Sequence, residues 1–166
     1  DRDRKSRPLK ALQGRIWEQG YATGALEGEV YPDVREAFVR WTAAGIRIGI
    51  FSSGSVLAQQ LLFAHSTAGD LSSFLSSHFD TRVGAKTETD SYSRIATALA
   101  VPPSSVLFVS DVAGELDAAR AAGLQTRLCV RPPALPPAGT VEPDARKAAL
   151  GIGIGIKQCW NYRKVS

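Results

Sequence analysis

The 166 residues are 44% hydrophobic and 22% charged, a globular composition of single-domain size that excludes a wholly disordered chain. No apolar run approaches the roughly 18–20 residues of a membrane-spanning helix, and two cysteines, Cys129 and Cys159, are too few for a disulfide scaffold or a cysteine zinc site. The formal charge of +4 sits at the ends: residues 1–10 hold five basic and two acidic side chains, residues 157–166 three and none, leaving twelve against fourteen between them.

The body of the chain therefore offers no basic face with interleaved aromatics, and no nucleic-acid partner is expected. No membrane partner is expected either. The cysteine usage predicts a reducing, intracellular setting. No apolar stretch follows Asp1-Arg-Asp-Arg-Lys5, so no signal peptide is expected. The chain contains no methionine and opens on an aspartate, which predicts a start inside a longer reading frame.

Leu9, Leu12 and Ile16 fall at helical spacing after Pro8 and predict a helix over 8–20. Gly20, Gly24 and Gly28 then punctuate a loop. Val34, Phe38 and Trp41 predict a helix over 33–44 that stops at Gly45. Ile46 to Phe51 reads as a buried strand ending in the turn Ser52-Ser-Gly-Ser55, and 56–65 as a helix broken at Gly69-Asp70. A short helix over 71–78 and a brief strand at 79–81 follow. Asp90 is a candidate cap for a helix running to Leu99. Val106 to Val109 is the clearest buried strand, 115–122 a helix ending at Gly123, and 126–130 a further strand. Pro132, Pro133, Pro136 and Pro137 read as a stiff linker. Strands alternating with helices predict a mostly parallel α/β sheet, whose ligands sit beyond the carboxyl ends of the strands.

The residues after the strands therefore carry the chemistry. Ser52 and Ser53, with the amides of a strand-to-helix turn, suit an anion such as phosphate. Lys86 adds a point charge for phosphoryl oxygens. Asp111, with Glu115 four residues on and Asp117 beyond, suits magnesium, which takes few carboxylates, several waters and often a phosphate. In that order they outline a phosphoryl-transfer site. Plainer roles stand beside these. The serines serve as turn and cap residues, Lys86 as a solvated lysine, Asp111 as a helix cap, and Glu115 and Asp117 as first-turn acids favoured by the helix dipole. His65 and His78 lack metal-ligand spacing and read as structural or surface residues. Trp17, Phe38, Trp41 and Phe63 read as core, and Cys129 as a small buried hydrophobe.

The segments Leu9-Lys-Ala-Leu-Gln-Gly-Arg-Ile-Trp17, Gly28-Glu-Val-Tyr-Pro-Asp33, Ile50-Phe-Ser-Ser-Gly-Ser55, Leu61-Leu-Phe-Ala-His-Ser66, Ser110-Asp-Val112 and Leu116-Asp-Ala-Ala119 resemble the enolase-phosphatases of methionine salvage. These are also called acireductone synthases and belong to the haloacid dehalogenase superfamily. The resemblance covers about residues 3–132. It implies an α/β fold with a Rossmann-like core and parallel sheet, here lacking its first central strand and most of the cap. It implies three regions: a remnant of the helix returning from the cap (1–20), the hydrolase core (21–132), and a proline-rich linker with an atypical tail (133–166). It also implies one magnesium ion per subunit. The substrate would be 2,3-diketo-5-methylthiopentyl-1-phosphate, enolised and then hydrolysed to the acireductone and phosphate. Ser52 and Ser53 would bind the substrate phosphate, Lys86 would hold it and stabilise the negative site, and Asp111 would bind magnesium. Glu115 would be a water-mediated partner of the metal. A monomer in the cytoplasm, and in the nucleus of a eukaryote, is expected.

The family nucleophile is an aspartate in a D-x-D motif directly after a first apolar strand. Asp1-Arg-Asp3 spells D-x-D, but no strand precedes it. The chain alone is therefore expected to be inactive. With the central strand missing, two buried strand edges would lack partners, and the chain is expected to fold poorly or to depend on other residues. Leu150 to Ile156 alternates with period two. It reads as a strand filling the vacant slot, or as a foreign tail, since glycine weakens strands. It lacks the spacing of a dinucleotide fingerprint. A general small-phosphomonoester phosphatase and a non-catalytic phosphate-binding fragment are the alternative functions.

Overall fold

The computed structural model describes residues 16–130 and, as backbone, the strand segments 152–154 and 160–164. A helix over 16–22, α1, leads into β1 (Leu26–Val30). Next come α2 (Pro32–Ala43), β2 (Ile48–Phe51), α3 (Val56–Ala64), a 3-10 turn (Ser72–Phe74) and β3 (Leu75–Phe79). Then follow α4 (Thr89–Ala98), β4 (Leu107–Ser110), α5 (Ala113–Ala121) and β5 (Gln125–Leu128). Two tail strands complete the order, β6 (Ile152–Ile154) and β7 (Trp160–Lys164).

Five strands form one sheet in the order β3-β2-β6-β4-β5, and every pairing in it is parallel. Side chains alternate across it with the period of two that a strand imposes. Ile48, Ile50 and Leu107 face a core that also takes Val34 and Phe38 of α2 and Leu62 and Phe63 of α3. Phe51 and Phe108 face the opposite core, with Tyr92, Ile95 and Ala96 of α4 and Leu116 and Ala119 of α5. A sheet covered on both faces explains why β2 and β4 read as unbroken apolar runs.

The sheet is not left with a vacancy. β6 lies between β2 and β4, with Ile48, Gly49 and Ile50 opposite Ile152, Gly153 and Ile154 on one side. Leu107, Phe108 and Val109 stand opposite the same three residues on the other. The period-two reading of the tail is the one the backbone adopts, and the expected pair of unpartnered edges is corrected. β7 runs antiparallel to β1, from Leu26 opposite Lys164 to Val30 opposite Trp160.

Three local expectations are also corrected. Residues 75–79 form a strand and not the second half of a helix, because pairing with β2 outweighs the weak helical preference of Ser76 and Ser77. Gly28 belongs to β1 and not to a loop, and a Cβ there would run into the Leu62 carbonyl. Its N–H donates to the His65 carbonyl at 2.8 Å, and its own carbonyl accepts from the Thr67 N–H at 2.8 Å. Asp90 lies inside the first turn of α4, since the helix begins at Thr89 with Glu88 as its cap residue. There Asp90 favours the helix through the dipole. The expected helix over 8–20 is described from 16 onward, and the proline-rich linker lies outside the described residues.

In a strand paired on both sides, proline removes a ladder bond and clashes, at about 3 kcal/mol or more. Gly153→Pro is therefore expected to lower the urea midpoint by a corresponding amount. An unchanged midpoint would remove β6 from the sheet.

Candidate functional site

Parallel strands bring the residues that follow them to one edge. β2 delivers Ser52 and Ser53, β3 delivers Asp80, and β4 delivers Ser110 and Asp111.

The Ser52 to Ser55 turn is held from several directions. The Ser52 N–H donates to the Phe79 carbonyl at 3.1 Å. The buried Ser52 hydroxyl accepts from the Gly54 N–H at 3.1 Å and donates to no acceptor among the described residues, so its proton is available. Ser55 caps α3 by accepting from the Ala58 N–H at 3.2 Å, which is its expected plain role. Ser53 is exposed.

Asp80 joins the same corner. Its carboxylate accepts from the Arg82 N–H at 3.0 Å and from Arg82 Nε at 2.9 and 3.1 Å. Burial works to raise its pKa, but hydrogen bonds and charge from Arg82, with a bond from the Val56 N–H at the start of α3, hold it below the usual range.

Lys86 is not a solvated lysine. Its side chain is 12% exposed, and Nζ lies 3.3 Å from Glu115 Oε1 and 3.1 Å from Oε2. The ammonium stands 5.9 Å from the centre of the Phe51 ring, a cation–π approach that ties it to the end of β2. The Ser110 hydroxyl donates to Glu115 Oε2 at 2.8 Å and accepts from the Val112 N–H at 3.2 Å. The Tyr92 hydroxyl donates to the Lys86 carbonyl at 2.6 Å. Burial, with the Glu115 charge, pushes that phenol well above its ordinary pKa and keeps it a donor.

Asp111 stands at the carboxyl end of β4, before α5. It does not cap the helix: Val112 is the cap residue and no side chain serves there. Its Oδ1 is buried and has no hydrogen-bond partner among the described residues. An unmet buried carboxylate oxygen is an acceptor whose lone pairs a cation can satisfy. No cluster of three metal-ligating side chains occurs among the described residues. The unmet Asp111 oxygen is the kind of ligand that magnesium takes, with waters and a phosphate filling the rest of its shell. Glu115 is placed otherwise than as an open ligand, since Lys86 takes both of its oxygens and Ser110 shares one. Asp117 faces away and pairs with exposed Arg120 at 2.7 Å.

The geometry thus gathers Ser52, Lys86, Glu115 and Asp111 at one edge of one sheet. Residues 2–123 match the haloacid dehalogenase-like hydrolases. The chain belongs to that family. It is 61% identical over 132 residues to the enolase-phosphatase E1 of Synechococcus elongatus, a match covering 80% of this chain and 56% of that protein. To the enolase-phosphatase E1 of Drosophila mojavensis it is 58% identical over 132 residues, covering 80% and 53%. The chain spans about half the length of these curated relatives. Among solved structures, the Unknown transcript 4 protein of Saccharomyces cerevisiae superposes with a TM-score of 0.74 at 38% identity. That match covers 89% of this chain and 66% of the other.

Sequence reasoning missed Gln59, Tyr92 and the role of Ser110. Gln59 stands three and four residues before Leu62 and Phe63, so a polar side chain falls on the buried face of α3. That placement was the available signal. Tyr92 hides among the apolar positions of α4, and nothing in its spacing sets it apart. His65 is exposed and stacks on Tyr21 with centroids 5.5 Å apart, and the half-buried His78 meets Gln59.

Breaking one side of a buried ion pair costs about 3–5 kcal/mol. Urea unfolding of Glu115→Leu is expected to show a loss of that order, and Lys86→Met with Glu115→Leu to recover most of it. A single variant as stable as wild type would show that the pair contributes nothing. Burial also lowers the pKa of His78 below the ordinary 6.5. Just below 6.5 the unfolded chain then binds more protons than the folded one. Stability is full above 6.5 and falls as pH drops through that window. His78→Gln is expected to flatten this part of a pH–stability profile, and an unaltered slope would assign it to another group.

Proposed function

We propose that the parent protein is a magnesium-dependent enolase-phosphatase that converts 2,3-diketo-5-methylthiopentyl-1-phosphate to the acireductone and phosphate. We further propose that these 166 residues supply the phosphate and magnesium side of its site. One observation carries the reading. A serine hydroxyl with an available proton, an ammonium anchored by a carboxylate, and an aspartate with an unmet buried oxygen converge at the carboxyl edge of one parallel sheet. The names of the relatives, enolase-phosphatase E1, support it.

In this reading Ser52 donates its hydroxyl proton to a phosphoryl oxygen, and the exposed Ser53 completes the turn around it. Lys86 has three N–H donors. Two are spent on Glu115, and the third is available to the phosphate, whose charge it offsets. Glu115 keeps the ammonium in place before substrate arrives, and Ser110 keeps Glu115 in place. Asp111 would hold magnesium, which when bound offsets charge on the phosphoryl oxygens.

Attack on phosphorus requires a nucleophile, which the resemblance assigns to an aspartate at the end of the central strand. Here that central position is held by β6. Its sequence continues Gly155-Ile156-Lys157, and no acidic residue follows Asp144 in the chain. This favours a second reading for the 166 residues alone, a phosphate-holding module without turnover.

Phosphate release from the diketo phosphate, measured with magnesium beside an Asp111→Ala control, is expected to stay at the control level for this chain. Release that Asp111→Ala abolishes would overturn the inactivity and show that a residue present here replaces the aspartate. Equal release from a generic aryl phosphate would favour a general phosphatase.

A further inference from the structure

Gln59 is fully buried at a position where helix packing alone would select an apolar side chain. Its Nε2 donates to the Gly54 carbonyl at 3.0 Å and to the Phe79 carbonyl at 2.9 Å. Both of its donors are thereby spent on main-chain acceptors. Its Oε1 meets His78 Nδ1 at 3.3 Å. Since Oε1 can only accept, that contact requires a proton on His78 Nδ1.

Two consequences reach the turn. The Phe79 carbonyl also accepts from the Ser52 N–H, so Gln59 and Ser52 are clamped to one atom at the end of β3. The Gly54 carbonyl is drawn inward to Gln59. In a planar trans peptide the C=O and the following N–H point in opposite directions. Drawing the Gly54 carbonyl inward therefore turns the Ser55 N–H away from Gln59, where it has no acceptor among the described residues.

We infer that Gln59 is the positioning residue of the anion-holding turn. Its amide, oriented by His78, sets the Gly54–Ser55 peptide so that the Ser55 N–H joins the Ser52 hydroxyl as a donor to a bound phosphoryl group. The inference rests on the phosphate reading of this turn. It adds two residues to it, neither of which touches the ligand. Gln59 acts through a peptide plane, and His78 acts through Gln59.

Nitrogen-15 NMR of the wild-type chain tests the first step without any variant. His78 is expected as the Nδ1–H tautomer at pH 7, and an Nε2–H tautomer would overturn the assigned amide orientation. The second step uses inorganic phosphate as the probe, titrated against the amides of residues 53–55. Wild type is expected to give saturable shifts with the Ser55 amide among them. Gln59→Met, which keeps the side-chain volume and removes the amide, is expected to weaken them at least tenfold. Magnesium-induced shifts at Asp111, titrated with magnesium alone, are expected to persist in Gln59→Met and serve as the check that the variant is folded. A folded Gln59→Met that binds phosphate as wild type does overturns the role of Gln59 alone. A wild-type chain with no saturable shift overturns the phosphate reading, and with it the ligand role of Ser55. If Gln59→Met fails to fold, His78→Leu leaves both Nε2 bonds possible but removes the donor that orients the amide. It is expected to weaken phosphate severalfold, and wild-type affinity there would overturn the inference.

Discussion

An ammonium and a carboxylate held out of water govern this site. Taking each charge from water costs several kcal/mol, and the Lys86–Glu115 pair persists because its surroundings complete it. Both carboxylate oxygens meet the ammonium, Ser110 adds a hydroxyl bond, and the Phe51 ring offers its face. The pair also joins parts of the fold that are distant in sequence. Lys86 lies between β3 and α4, Glu115 in the first turn of α5, Ser110 at the end of β4 and Phe51 at the end of β2. Tyr92 pins the Lys86 backbone from α4, and its ring packs edge-on against Phe51 and Phe108. The second core and the polar edge therefore share residues, so a packing fault below would be felt as a misplaced charge above.

The parallel sheet sets where this chemistry lies. Every strand of it points the same way, so each strand's following residue arrives at the same edge. β6 occupies the middle position of the sheet. β6 supplies main-chain partners to β2 and β4 over three residues, which meets their hydrogen-bonding demand at the centre. It brings no carboxylate with it, because none follows Asp144. The same tail segment that completes the sheet thus brings main-chain partners, and no acidic side chain, to the centre of that edge.

The serine turn is likewise a product of its supports. Asp80 receives the Arg82 N–H, Ser55 receives that of Ala58, and Gln59 gathers the Gly54 and Phe79 carbonyls. These bonds satisfy main-chain groups that a tight strand-to-helix turn would otherwise leave unmet. They also leave the Ser52 hydroxyl proton uncommitted, which is the property an anion requires.

The sequence by itself determined the alternation of strands and helices. Apolar runs such as Ile48–Phe51 and helical spacing such as Val34, Phe38 and Trp41 encode burial directly. It also determined which residues would follow the strands, because Ser52 and Asp111 adjoin runs that can only be buried. The linked motifs carried the family for the same reason: they are local. The tertiary structure alone decided the pairings that span long separations. Lys86 and Glu115 are 29 residues apart, and nothing local marks either as the other's partner. The strand over 75–79 depends on β2, and the state of Gly28 depends on the Leu62 carbonyl. The glycine-rich tail carried two readings because a three-residue strand has little preference of its own. The open edges of β2 and β4 gave Ile152–Ile154 its strand pairing, since a buried main-chain group must find a partner wherever the chain can supply one.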